Sequence, residues 1–290
     1  MANLVDLLAA VDARPPSESG AFVIDSDDAM RGSVLVETSR VCWAQAPGRS
    51  ARLRDLLRHH AERELDDTDL DDAFAMCRDE HRPLGELLAE RELVSHLGLR
   101  AALKQHTVES LIAQCDGSHD PVTWVPHRQR YDARFTFPPI ELLAAAGAEL
   151  YPSEAEGAEL GLEAVLPAAR TAGSFAIGDD DEPVAVCVAG AATLPVRDLL
   201  ALGDWAAAAL AACNGFSPAV MARAVAALTG AAVLGWRSAR RVVHIAVIDH
   251  PAALASAVAV LALRGLPAVL SSRAPAHPSS FAHTTSHLTL

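Results

Sequence analysis

The stretch from Pro83 to Cys115, PLGELLAERELVSHLGLRAALKQHTVESLIAQC, constrains the fold more than any other part of the chain. It reads as two short helices joined at Val94-Ser95. Pro83 suits a first helical position, where its missing N–H costs nothing, and Glu86 places negative charge near the helix start. Leu84, Leu87, Leu88 and Leu93 recur at close to helical spacing. Ser95 is placed to cap the second helix, which is expected to bury Leu99, Leu103, Leu111 and Ile112.

The 290 residues suffice for two domains with their own cores, and 51% hydrophobic with 21% charged residues is an ordinary globular composition. Aromatic residues make up only 4%, and Lys104 is the one lysine against 23 arginines, a bias we read as genome composition. The formal charge of −13 argues against a general nucleic-acid binder, which needs a basic face. Residues 191–290 hold seven arginines and three aspartates, a net of +4, which leaves −17 on residues 1–190. An acidic first part and a mildly basic end suggest separate modules.

Cys42, Cys77, Cys115, Cys187 and Cys213 are scattered, and no C-x-x-C or Cys/His ligand spacing occurs. Buried thiols in a reducing cytoplasm are the expected state, with no metal and no cofactor. The first residues, MANLVDLLAAVDARPP, lack the basic start and cleavage pattern of a signal peptide. The longest apolar candidate, Ala252 to Leu263, falls short of the roughly 18 residues that a membrane span requires. A soluble cytoplasmic protein is expected.

Taken in order, Asn3 caps a short helix that Pro15-Pro16 breaks. Ala21–Asp25 and Ser33–Ala46 read as strands around a turn at 27–32, with a second turn at Glu37–Arg40, giving a small meander. Ser50 starts a helix through Arg63 carrying Leu53, Leu56, Leu57 and His60. The acids of ELDDTDLDD fail the calcium-loop pattern at Asp72 and Arg78, and read instead as the start of a helix with Leu70, Phe74 and Cys77. Val122, Trp124, Tyr131, Phe135 and Phe137 suggest a strand pair closed by Pro138-Pro139, ahead of a helix from Glu141. Residues 151–158 read as a linker. Beyond it come a helix over Leu160–Ala172 and a hairpin, SFAIGDDDEPVAVCVAG. Helices follow at 196–213 and 218–228, then two strands flanking Arg237–Arg240, and a helix over Pro251–Leu263. The tail over 272–290 is expected to be disordered. The fold class is α+β: a mixed meander and helical domain over 1–150, then a smaller α/β domain with a twisted sheet and flanking helices over 159–271.

Leu84-Gly85, Leu88, Leu93-Val94, Leu99, Leu103 and Gln105 resemble the LG-x-x-L…L-[IV]…L-x-x-x-L-x-x-Q pattern of a family of small bacterial helical modules. Its branches include the PATAN-type signalling domain and the N-terminal domain of type II secretion and type IV pilus ATPases. Glu92 stands where that pattern usually has Gly, and Gln105 falls one residue early, with His106 in the expected place. Further on, Trp124, Phe135-Thr-Phe137 and Glu141-Leu142-Leu143 are similar to the "W…F-x-F…ELL" that follows in PATAN-type domains. The second half resembles the Roadblock/dynein light-chain architecture in its element order. There a twisted sheet carries helices and two chains usually pair. The resemblance implies a homodimer with a small Ras-like GTPase or another regulator as partner.

Local catalytic signatures are missing: no phosphate-binding glycine motif and no nucleophile elbow occur. His59-His60 sit side by side, where a helix points them in different directions. The leading expectation is therefore a non-enzymatic bacterial signalling or scaffold protein. Trp205 and the group Trp236, Arg237, Arg240 and Arg241 are the candidate interface residues, because Trp and Arg dominate interface hot spots. The alternative is a cyclic di-GMP sensor. The relatives in secretion and pilus ATPases imply Arg82 and Gln105 as ligand contacts, with Leu84, Gly85 and Leu88 as the packing surface. A third reading, an enzyme with dispersed acid and base groups, stays open because such carboxylates need no sequence motif.

Overall fold

The structure is a computed structural model that describes residues 2–26, 29–47, 50–62, 64–80, 84–115, 122–127, 135–163, 165–178, 182–190, 194–212, 223–224, 231–239, 241–263, 268–271 and 286–287. The chain is α+β, in two compact units, 1–142 and 143–290.

Unit 1 opens with helix α1 (Ala2–Asp12), whose Leu4, Leu7, Leu8 and Val11 are buried. Strands β1 (Ser19–Ser26), β2 (Ala29–Glu37) and β3 (Arg40–Gln45) form the expected meander, all antiparallel. The first turn is tighter than the expected 27–32, because Ala29 and Met30 extend the ladder opposite Ser26 and Asp25 past a bulge at Ile24. Thr38 (φ 52°) and Ser39 (φ 59°) make the second turn, and two left-handed residues give the hairpin twist that flanking strands favour.

Strand β4 (Val122–Pro126) adds to β1, completing the order β3-β2-β1-β4. It forms no hairpin with the Phe135–Phe137 stretch, contrary to expectation. Phe137 instead exchanges two backbone hydrogen bonds with Val41 at 2.8 and 2.9 Å, on the opposite edge of the sheet. Tyr131 lies outside the described residues.

Four helices build the second core of unit 1: α2 (Ser50–His60), α3 (Asp67–Asp79), α4 (Leu84–Glu90) and α5 (His96–Cys115). The Asp66 carboxylate caps α3 by accepting the Asp69 N–H at 2.7 Å, which accounts for acids at the start of that helix. Ser95 caps α5, its Oγ accepting the Gly98 N–H at 3.1 Å. Between α4 and α5 the chain closes a Schellman turn. Leu93 N–H reaches the Leu88 carbonyl, and Glu92 N–H reaches that of Ala89. Glu92 occupies the left-handed position with φ 52°, and Leu88 and Leu93 meet in the same buried cluster. The helices are unequal, since α5 runs for 20 residues.

The division between units falls inside α6 (Pro139–Leu150), ahead of the boundary expected at 150. The stretch read as a linker, 151–158, is the first part of α7 (Pro152–Glu163). Pro152 begins that helix, Glu154 suits its first turn, and Ala158 is fully buried. The helix stops at Glu163, short of the expected Ala172, with Pro167 ahead of it and Thr171 already in the sheet.

Strands β5 (Thr171–Ile177) and β6 (Pro183–Ala189) form the predicted hairpin, followed by α8 (Val196–Ala212). Strands β8 (Ala232–Ala239) and β9 (Val242–Ile248), helix α9 (Pro251–Leu263) and strand β10 (Ala268–Ser271) complete an antiparallel sheet ordered β10-β8-β9-β5-β6. Alternation divides its two faces. Ala172, Leu234, Trp236, Ala246 and Ile248 pack with Leu162 of α7, with Val165 just beyond it, and with Ala257 and Leu261 of α9. On the other face Gly173 and Phe175 approach Leu199 and Gly203 of α8. The helix expected over 218–228 is contradicted at Arg223–Ala224 (β7), which pairs with Ser286–His287 (β11); that pair also breaks the expected disordered tail. The remaining residues of both stretches lie outside the described set.

Because a left-handed Glu carries a steric cost of about 1 kcal/mol or more, Glu92→Gly is expected to stabilise the chain by roughly 0.5–1 kcal/mol. A higher urea midpoint at unchanged slope is the expected reading; a lower midpoint contradicts this account of the turn.

Candidate ligand and interaction sites

The described residues of the ligand alternative are engaged in packing or in hydrogen bonds. Leu88 is fully buried, and Leu84 packs against the same helical core. A side chain at Gly85 would meet Leu99 at 3.2 Å and Phe135 at 3.3 Å, so glycine is what lets these groups close on α4. Arg82 lies outside the described residues. Gln105 is held in a polar chain between α2 and α5. Its Nε2 donates to Glu109 at 3.1 Å, its Oε1 stands 3.1 Å from His60 Nε2, and Arg52 donates to both oxygens of Glu109 at 3.0 Å. Because the Gln105 amide nitrogen serves Glu109, its oxygen accepts from His60 Nε2–H.

The two stretches that carry the PATAN resemblance meet in space. Phe135 packs on Gly85 and parallels the His96 ring at 6.1 Å. Arg100 of α5 lies over the Phe137 ring at 4.5 Å, and donates to both oxygens of Glu141 at 2.8 and 3.0 Å. Lys104 stands 3.5 Å from the same carboxylate. Arg40 and Arg100 both donate to the Thr136 carbonyl, at 2.8 and 3.1 Å. Lost solvation, then the nearby Arg100 charge, lowers the Arg40 pKa. This cluster fastens 136–141 to β3 and α5.

The sequence reading missed the polar stripe that α5 turns inward. His106, Thr107, Ser110 and Gln114 are all buried, with the His106 ring stacked on Trp43 at 4.4 Å. Gln114 donates to the Gln45 carbonyl at 2.6 Å. The hydroxyls of Thr107 and Ser110 have no hydrogen-bond partner among the described residues. Their only signal in the sequence is spacing at three and four residues, which an apolar periodicity search passes over.

In unit 2, Trp236 is fully buried, which corrects its expected place in a surface patch. Strand alternation sends it and Arg237 to opposite faces of the sheet, so they cannot form one patch. Arg241 donates its Nε to the Ile177 carbonyl at 2.8 Å, joining the ends of β5 and β9. Arg240 is outside the described residues. Trp205 of α8 is 9% exposed.

Trp236 instead stacks on His244, ring centres 5.1 Å apart. His244 is fully buried and stands between two serines: Nδ1 lies 2.7 Å from Ser174 Oγ, and Nε2 contacts Ser238 Oγ. Ser174 also lies 3.2 Å from the Ala158 carbonyl, which can only accept, so its proton goes there. Ser174 then accepts from His244 Nδ1–H, and Nε2 accepts from Ser238. A histidine activating a serine requires the reverse proton placement and an open path to substrate. Ser174 and His244 are both fully buried, and α7 closes over the ring at Gly161, where an added side chain would collide with it. The arrangement holds a neutral histidine in a core.

No group of three or more metal-ligating side chains occurs among the described residues. Burial pushes the Cys42 thiol to about 12 and the Cys115 thiol to about 11, far from the reactive thiolate range. No family model, no curated protein and no solved structure matches this chain.

Loss of solvation depresses the His244 pKa from 6.5 to about 4. The unfolded chain therefore binds this proton more readily. The stabilisation from neutral His244 is complete above about pH 6.5 and is lost as pH falls towards 4, a change of about 3 kcal/mol. The unfolding free energy of wild type minus that of His244→Phe should fall by that amount as pH drops through this window, whatever its sign at neutral pH. A pH-independent difference would falsify the assignment.

Proposed function

We propose that this protein works through protein–protein contacts, as a non-enzymatic signalling or scaffold component in the cytoplasm. The observation that carries the reading is the build of unit 2. The order α7, β5–β6, α8, β8–β9, α9, with α7 and α9 on one sheet face and α8 on the other, supports the Roadblock resemblance. On that reading unit 2 pairs with a second copy and offers a composite surface to a small Ras-like GTPase or a similar regulator. The PATAN resemblance of the Leu84–Gln105 and Trp124–Leu143 stretches is the ground for giving unit 1 a signalling role. Helix α9 carries no charged residue along its length, and Leu263 at its end is 89% exposed, which fits a surface meant to be covered. No helix among the described residues is long and apolar enough to cross a membrane. A fully buried Leu88 and a packed Gly85 weigh against the cyclic di-GMP alternative.

The test is affinity capture with the full-length chain from its native host, followed by direct binding of any enriched GTPase loaded with GDP or a GTP analogue. Saturable binding that differs between the two nucleotide states is expected. Saturable heat on titrating cyclic di-GMP into the same chain, with no protein captured, overturns the proposal in favour of the sensor.

A further inference from the structure

We infer that unit 1 pairs with a second copy of itself through the edge of β4 that no other described strand covers, joining two sheets into one. This contact is independent of the pairing proposed for unit 2. It follows from the phase of the β1–β4 ladder. His127 donates its N–H to the Ser19 carbonyl at 3.1 Å, next to the register pair Gly20 and Pro126. Hydrogen-bonded and non-hydrogen-bonded pairs alternate along an antiparallel ladder. Val125 and Thr123 therefore bond to Ala21 and Val23, while Val122, Trp124 and Pro126 turn their backbone groups away from β1.

The outer edge thus offers two donors, the N–H groups of Val122 and Trp124, and three acceptors, the carbonyls of Val122, Trp124 and Pro126. Pro126 lacks an N–H at a position where one would face outward, the place where an edge strand tolerates proline. A second β4 laid antiparallel, with Trp124 opposite Trp124, matches this set. The two tryptophans exchange N–H···O=C bonds, and each Val122 N–H reaches the carbonyl of the partner's Pro126. Every donor finds an acceptor, and none is asked of proline.

The side chains agree. Val122 is 48% and Val125 46% exposed, and this register lays Pro126 and Thr123 of the second copy beside them. Two of the devices that guard a sheet edge, a charge and a bulge, do not occur in Val122–Pro126, and its proline stands where the paired register asks for no donor. The strand is also held firmly, with the Trp124 ring 4.9 Å from Phe22 and the Arg14 guanidinium 4.2 Å above it.

In the paired sheet Thr123 faces the partner's Val125 as a non-hydrogen-bonded pair, with Cα atoms about 4.5 Å apart, within disulfide reach. Full-length Thr123→Cys and Val125→Cys chains, mixed and oxidised, should yield a cross-linked dimer. Either variant alone should give no more than wild type, which reports the native cysteines. Val122→Pro removes an outward donor without touching the β1 ladder, and its addition to both chains should cut the cross-linking yield roughly tenfold or more. Equal yields from the mixture and from the single variants would overturn the inference. So would a β4 edge that captures an extended segment of another protein while the mixed cysteine chains stay uncross-linked.

Discussion

Backbone groups at the rim of an antiparallel sheet must be paired, covered or left to water, and this requirement organises both units. In unit 1 the β3 rim is closed by Phe137, which is why the Phe135–Phe137 stretch lies across the sheet from β4. Arg40, Arg100 and Glu141 then fix that stretch through the Thr136 carbonyl and through each other. In unit 2, Gly147 of α6 comes up against the Ala185 carbonyl on the β6 rim, at a distance no side chain would permit. Strand β4 has no such cover among the described residues, and its outward groups are the ones a second copy can satisfy.

A second requirement concerns polar groups taken out of water. His244 stays in the core because its neutral form finds one donor and one acceptor, Ser238 and Ser174, and because α7 offers Ala158 as the last acceptor. Removing any member strands another, so the cluster ties α7 to the sheet as well as filling space. On α5 the balance is less complete. Gln114 places its amide nitrogen on Gln45, while the hydroxyls of Thr107 and Ser110 stay without partners among the described residues.

The His244 cluster and the packed LG stretch bear on function by what they withdraw from it. The Ser–His contact, which alone looks like the start of hydrolase chemistry, is committed to holding a core. The leucines and glycine of the LG stretch are committed to helix packing. Apolar side chains that stay exposed include Leu263 at the end of α9, and Val122 and Val125 on β4.

Most element starts are set by signals local in the sequence. Asp66 and Ser95 mark helix starts through local caps, the β5–β6 hairpin follows from alternation, and Pro251 opens α9. These signals act within a few residues, so they are legible without a fold. Everything else follows from contacts between residues distant in the chain. The stretch with linker composition became α7 because Ala158 could be buried beneath the sheet, a gain that composition cannot register. Trp236 looked like a surface anchor beside arginines, yet the pairing of β8 with β9 sets it against His244 in the core. The polar stripe on α5 breaks the apolar rule for a buried face, and becomes visible only once β3 supplies Trp43 and the Gln45 carbonyl. The outward phase of β4 depends on one hydrogen bond between residues 19 and 127, because edge and interior are properties of pairing partners distant in the chain.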